Sequence, residues 1–123
     1  MKITGSAQRV RIVVGEAERY HRLPLYHAIV LKAREMGLAG ATVYRAFEGF
    51  GASTRIRSAN LLDLSTDLPV VIEIIDGKEY IDRFLPVLDD MVLKGLITVD
   101  PVAVVKYAHD DRGKGHVDAS GDA

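Results

Sequence analysis

The sequence contains no cysteine. Without thiolates, the chain can form no disulfide framework, no cysteine nucleophile and none of the zinc or iron–sulfur sites that depend on sulfur ligands. It also has no apolar run of the length that a signal peptide or a membrane-spanning helix requires. These absences predict a cytoplasmic protein that is neither exported nor anchored in a membrane.

A strong charge of either sign is absent as well. The 123 residues include 16 Lys and Arg and 17 Asp and Glu, which leaves a formal net charge of -1. A phosphate backbone is attracted by excess positive charge, so a general nucleic-acid binder would need basic groups gathered on one face. The length allows one domain, and the apolar fraction of 48% is ordinary for a globular protein.

Hydrophobic periodicity predicts six secondary-structure elements. Val10, Ile12 and Val14 alternate with other residues, which is the pattern of a half-covered strand. The remaining elements show the same alternation, a short apolar run, or the spacing of an amphipathic helix. They are a strand at 9–15, a helix at 24–37, strands at 41–48 and 68–75, a helix at 76–95 and a strand at 96–107.

Three local signals refine this pattern. Asp76 and Glu79 match the D-x-x-E form of a capping box, so Asp76 is expected to cap the second helix. Pro86 lies inside that helix and predicts a kink or a break. Pro101 cannot donate to a β-ladder, which favours an edge position and a bend for the last strand.

The two halves of the chain are similar, because each reads strand, helix, Gly-Leu, strand. Two interleaved βαβ units predict an α+β, ferredoxin-like βαββαβ fold, in which a four-stranded antiparallel sheet carries both helices on one face. The domain is expected at 8–107, and residues 108–123 are expected to form a disordered tail. Since the strand at 68–75 is apolar on both sides, self-association through the open sheet face is also predicted.

Residues 49–68 form a long connection where this fold needs only a short turn, and such loops are usually functional or disordered. Gly49 and Gly51 allow close backbone approach to a ligand, and Ser53, Arg55 and Arg57 supply groups that can hydrogen-bond to an anion. These residues suggest a nucleotide phosphate held at the base of the loop. The same composition is common in ordinary surface loops, so spacing alone leaves both interpretations open.

Longer stretches resemble a known family. The segments VRIVVGEAERY, PLYHAIVLKAREMGLAGATVYRAFEGFGAS, LPVVIEIID and LITVDPVAVVKY are similar to the PII-like signalling proteins catalogued as domain of unknown function 190, which are relatives of the nitrogen regulatory PII proteins. The resemblance implies a homotrimer that binds small effectors, typically adenine nucleotides, in clefts between its subunits. It implies regulation of a partner rather than catalysis, and no cofactor beyond such an effector.

The resemblance also suggests which residues bind the effector. Gly49 and Gly51 match the start of the T-loop of PII proteins, Arg55 and Arg57 lie within that loop, and Lys94-Gly95 lies at a second ligand-facing turn. The T-loop motif of PII proteins is itself absent, so the identity of the effector stays open. Family members are often encoded beside fluoride-channel proteins, which implies a membrane transporter or channel as the regulated partner.

Arg45 and Glu16 complete the set of candidate binding residues. Glu16 follows the first strand together with Glu18 and Arg19, from where it can reach the sugar or base of a ligand. A charged surface turn is the commoner explanation for such a cluster.

Four other functions fit the topology less well. An RNA-recognition module would need exposed aromatic residues on the strand VVIEII, and an acylphosphatase-like enzyme would need an asparagine at a rigid position, whereas Asn60 lies deep in the long loop. The histidines, His21, His27, His109 and His116, lack the spacing of a helical metal site. An amino-acid-binding regulatory domain of the same topology is the main alternative to the PII-like protein.

Overall fold

The computed structural model describes residues 5–59 and 67–109. The tail predicted at 108–123 lies outside this part of the chain except for its first two residues. The helices and strands are, in chain order, β1 (Gly5–Gly15), β2 (Arg19–Tyr20), β3 (Leu23–Pro24), α1 (Leu25–Glu35), β4 (Thr42–Arg45), β5 (Glu48–Gly49), β6 (Arg57–Ser58), β7 (Pro69–Asp76), α2 (Lys78–Met91) and β8 (Leu96–Val104).

Four of the strands form an antiparallel sheet in the order β4-β7-β1-β8. The central strand β1 places Val10 opposite Ile74 of β7 and opposite Val99 of β8. The predicted ferredoxin-like βαββαβ arrangement is therefore confirmed, and β8 is an edge strand, as Pro101 indicated. Neither helix of the described residues is long and apolar enough to cross a membrane.

The core lies between the two helices and one face of the sheet. Alternation along β1 directs Val10, Ile12 and Val14 toward the helices, where each is at most 3% exposed. The helices and β7 contribute the other fully buried apolar side chains, which are Ile29, Ile72, Ile74, Ile81, Phe84 and Leu88. Burial of apolar surface stabilises a fold by about 25 cal/mol per Å², so most of the hydrophobic stabilisation within the chain comes from this one side of the sheet.

Helix α2 differs from its prediction at its N-terminus, and the alternative of a break at Pro86 is excluded. It runs without a break through Pro86, which lies on the exposed side of the helix together with Asp82. The backbone carbonyl that loses its partner to Pro86 belongs to Asp82, and water can satisfy it there. The predicted capping box is wrong, because Gly77 is the N-cap residue and Asp76 ends the preceding strand.

Asp76 has a different structural role. Its side chain is fully buried, and its carboxylate accepts hydrogen bonds from the backbone N–H groups of Gly77 at 2.7 Å and of Ala39 at 2.9 Å. Tyr107 donates its hydroxyl to the carbonyl of the same Ala39. Burial raises the pKa of Asp76, and the two backbone donors act against that rise. Asp76 thus joins the end of β7 to the connection between α1 and β4.

We predict that Asp76→Ala lowers the free energy of unfolding by about 1–3 kcal/mol, because it leaves two backbone N–H groups without their acceptor. Urea denaturation measures this change. Asp82→Ala is the matched control, since Asp82 is exposed and pairs with Lys78 at the helix surface, and it should cost less than about 0.5 kcal/mol. Equal effects of the two substitutions would contradict the role given to Asp76.

Candidate functional site

The sheet face opposite the helices carries a row of paired charges. Glu73 accepts hydrogen bonds from Arg11 Nε at 2.8 Å and from the Tyr44 hydroxyl at 2.9 Å, and Arg9 forms a two-point ion pair with Asp100. The hydrogen bonds from Arg11 and Tyr44 hold the pKa of Glu73 below its usual value. Glu73 is therefore charged at neutral pH, and the two ion pairs together carry no net charge.

An apolar floor lies at one end of this open face. It consists of Val13, Val71 and Leu96, which are neighbours because Val13 is paired with Val71 on one side and with Leu96 on the other. Leu96 is 57% exposed. The floor thus offers water-accessible apolar surface at the end of β1 where the chain leaves the sheet.

The connection between β4 and β7 begins beside this floor as a short two-stranded arm, residues 46–59. Within it β5 pairs antiparallel with β6, with Glu48 opposite Ser58 and Gly49 opposite Arg57. The base of the predicted long loop is therefore regular structure, and the pairing fixes where its glycines and Arg57 lie. Residues 60–66 of the loop lie outside the described residues.

A cavity of about 640 Å³ lies between the apolar floor, the arm and the turn that precedes β8. Its wall includes most of the binding residues that the sequence suggested, namely Gly49, Gly51, Ser53, Arg57, Lys94 and Gly95. Residues distant in the sequence thus meet at one site. The predicted binding set is largely brought together by the fold, although its ligand-binding role stays a prediction.

Three predicted residues lie outside the cavity wall. Arg45 and Glu16 form an ion pair with each other at 2.5 Å, and both directly precede or follow residues of the wall. Arg55 is exposed on the arm. None of these three side chains lines the cavity.

Both cations of the described cavity wall are held by carboxylates. Arg57 Nη1 lies 2.6 Å from Asp67 Oδ2, and the other oxygen of Asp67 accepts the backbone N–H of Ala17 at 2.8 Å. Lys94 Nζ lies 3.3 Å from Glu18 Oε2. Arg57, assigned to a ligand phosphate from the sequence, is therefore also a structural link between the arm and the turn after β1.

The sequence reasoning missed two parts of the site. Asp67 follows Arg57 by ten residues. Neither a helix nor a single strand brings residues at this spacing into contact, so the sequence does not predict that the two side chains pair. The apolar floor could have been predicted, because Val13 and Val71 occupy the positions that alternate with core residues along their strands. Among the described residues, no group of three or more His, Asp or Glu side chains could hold a metal ion; Asn60 and His116 lie outside those residues.

The turn before β8 approaches β1 very closely. Gly95 has a φ of +149°, and a Cβ atom at this position would lie 2.7 Å from the carbonyl oxygen of Val13. Only glycine fits this approach without a shift of the backbone. The contact holds the neighbouring Lys94 at the cavity.

The fold that carries this cavity is that of the PII-like proteins. The structure is similar to that of CPII from Thiomonas intermedia K12 bound to ADP and bicarbonate, with a TM-score of 0.55, 17% sequence identity, and 82% of this chain and 90% of that chain covered. It is also similar to a candidate PII-like signaling protein from Thermus thermophilus, with a TM-score of 0.61, 22% identity, and 85% and 94% of the chains covered.

The sequence identifies the family more narrowly. Residues 7–104 match DUF190, a family described as Uncharacterized ACR, and the chain belongs to this family. A UPF0166 protein of Aquifex aeolicus (strain VF5) is 43% identical over 96 residues, which cover 78% of this chain and 90% of the relative. The family resemblance noted in the sequence is thereby confirmed.

We predict that Gly95→Ala lowers the free energy of unfolding by about 1–3 kcal/mol more than Gly37→Ala does. Both glycines have positive φ, but a Cβ atom at Gly37 would meet nothing within 4 Å. Gly37→Ala therefore measures the conformational cost alone, whereas Gly95→Ala adds the clash with β1. Chemical denaturation compares the two, and similar losses would show that the close approach at Gly95 is easily relieved.

Proposed function

We propose that this protein is a PII-like regulatory protein, not an enzyme, and that it binds a small anionic effector, an adenine nucleotide, in the cavity. The proposed binding domain spans residues 8–107, with residues 49–68 as its T-loop-like segment. It would act as a homotrimer whose neighbouring subunits complete each cavity, and it would regulate a partner, a membrane transporter or channel. The observation that carries the proposal is the convergence of the arm glycines, Arg57 and Lys94 on one cavity in a PII-like fold.

The size and lining of the cavity support a nucleotide-sized ligand. Its volume lies within the roughly 300–1,000 Å³ of small-molecule sites, which combine apolar walls with a few polar groups. The apolar floor can pack against a base, and Ser53, Arg57 and Lys94 can donate hydrogen bonds to phosphate oxygens. In the same fold, the Thiomonas protein holds ADP and bicarbonate, which supports the proposed class of effector.

The open sheet face supports self-association. The two charges of each ion pair neutralise each other, so copies of the face would not repel each other. Exposed Leu96 and half-exposed Tyr44 supply apolar surface that an interface can bury. An interface on this face would place a second subunit next to the apolar floor. Each cavity would then be closed on its open side.

The arm supports a regulatory role. Phe47, Phe50 and Ile56 are 62%, 70% and 56% exposed, and large exposed apolar side chains on a loop are typical of surfaces that bind a partner. Since Phe50 also lines the cavity, a ligand would change the surroundings of a side chain that is available to the partner. The choice of a transporter or channel depends on the family resemblance alone.

An amino-acid-binding regulatory domain is the second candidate. The specific observation in its favour is that the cavity wall presents both ammonium and carboxylate groups, through Lys94 and Glu18. An amino acid is a zwitterion, so its carboxylate can pair with the ammonium group of the wall and its ammonium group with the carboxylate. The two candidates differ in the ligand class that stabilises the protein.

We predict that AMP or ADP raises the Tm of the protein, because a ligand that binds only the folded state stabilises it by about 2.7 kcal/mol at 100 times its Kd. Lys94→Ala should weaken binding about 3- to 10-fold, through the loss of one charged donor. Thermal-shift titration followed by calorimetry measures both effects. Lys78→Ala is the matched control, since Lys78 is an exposed, ion-paired lysine on α2.

Titrations with amino acids decide between the two candidates. Stabilisation by amino acids alone would contradict the nucleotide proposal and favour the second candidate. Nucleotide binding that Lys94→Ala and Lys78→Ala weaken equally would contradict the assignment of the cavity.

We predict that the wild-type protein sediments as a trimer at micromolar concentration and that Leu96→Glu shifts it toward monomer, because the substitution would bury an unpaired charge at the interface. Leu93→Glu is the control, since Leu93 is 92% exposed and precedes β8 rather than lying on the sheet. A monomeric wild-type protein would contradict assembly through the open face.

A further inference from the structure

We propose that Glu18 selects ligands by charge, so that the cavity accepts adenine nucleotides of low negative charge in preference to triphosphates. This inference rests on the proposed function and names the ligands within its class. It starts from the balance of charges in the cavity wall, which the sequence-based assignment of basic and glycine residues does not reveal.

The cavity wall is not a cationic site in the part of the chain that the structure describes. There it contains the three carboxylates Glu18, Glu48 and Asp67 but only the two cations Arg57 and Lys94. The formal charges of these five side chains sum to one negative unit. Within one subunit, a ligand phosphate therefore meets cations whose charge is already balanced, and each additional phosphate charge adds repulsion from the carboxylates.

The two ion pairs of the wall differ in how firmly their side chains are fixed. Asp67 is fixed at both oxygens, by Arg57 and by the backbone N–H of Ala17, so it belongs to the structure of the arm base. The pair of Lys94 with Glu18 is longer, at 3.3 Å, and the Lys94 side chain is 78% exposed whereas that of Glu18 is 29% exposed. The ammonium group can thus move to a ligand while the carboxylate stays in the wall.

The backbone holds Glu18 in this position. Its N–H donates to the carbonyl of Gly15 at 3.1 Å, and its carbonyl accepts the N–H of Leu25 at 2.8 Å. Both bonds use main-chain atoms, so replacing the side chain by glutamine removes the charge and leaves the turn intact. Glu18 is for this reason the carboxylate whose charge can be tested separately from the fold.

The arrangement makes Glu18 a competitor of the ligand. A phosphate that binds Lys94 competes with the Glu18 carboxylate for the ammonium group and remains close to that carboxylate. A monophosphate brings two charges at most and can project its neutral nucleoside into the apolar part of the cavity, whereas a triphosphate brings about four charges next to a fixed carboxylate. The repulsion between the Glu18 carboxylate and the ligand therefore increases with the number of phosphates, and the binding affinity decreases with it.

The test compares the Kd values of AMP, ADP and ATP for wild-type protein, Glu18→Gln and Glu35→Gln by calorimetry, at low ionic strength and without divalent cations. Glu35→Gln is the matched control, because Glu35 pairs with Lys32 at 2.9 Å on the surface of α1. We expect wild-type protein to bind ATP more weakly than AMP, and Glu18→Gln to strengthen ATP binding about two- to fivefold more than AMP binding. Glu35→Gln should change neither affinity.

A second measurement uses the wild-type protein alone. Salt screens the repulsion between exposed charges, so the preference for AMP over ATP should narrow as ionic strength rises. A preference that widens with salt, or a Glu18→Gln variant that changes all three affinities by the same factor, would overturn the charge selection and leave nucleotide binding standing. Failure of every nucleotide to bind the wild-type protein would instead overturn the proposed function, and this inference with it.

Discussion

The helices cover only one face of the four-stranded sheet, and the rest of the molecule is arranged around that constraint. Burial of alternate residues of β1 fixes its orientation, so that Val10, Ile12 and Val14 pack in the core and the intervening side chains reach the opposite face. A shift of one residue would expose the core set, which makes the register secure. The register therefore also determines which side chains lie on the open face, where neutral ion pairs lie beside exposed apolar side chains.

The candidate site lies where this open face ends. β1 contributes Val13 to the apolar floor, and the turn that follows β1 contributes Glu18. The chain returns to the same place twice more, through the arm and through the turn at Gly95, whose lack of a side chain permits contact with β1. The cavity is thus built from connections of different strands that meet at one end of β1, and these connections contribute the carboxylates of its wall.

The sequence predicted the features that depend on periodicity. The alternation of β1, the order of the elements and the edge position of Pro101 all follow from spacing and backbone chemistry, and the binding residues that converge on the cavity carried glycine and charge signals. The features that the sequence did not reveal depend on distant contacts. Asp76 matches a capping box, yet the acceptor is used by Ala39, from a part of the chain far from the helix. Arg57 has the chemistry of a phosphate ligand, yet Asp67 also holds it.

The contacts of Asp67 connect the arm to the turn that follows β1. One oxygen holds Arg57 of the arm and the other holds the backbone of Ala17, next to Glu18. Under the proposed function, a ligand that moved the turn after β1 would act on the arm through this carboxylate, and displacement of the arm would act on the turn in the same way. Since coupling between two equilibria is reciprocal, a partner that bound Phe47 and Phe50 on the arm would change the affinity of the proposed site for its ligand by the same factor as the ligand would change the affinity for the partner. On this proposal, the arm is the element through which ligand binding and partner binding would be coupled.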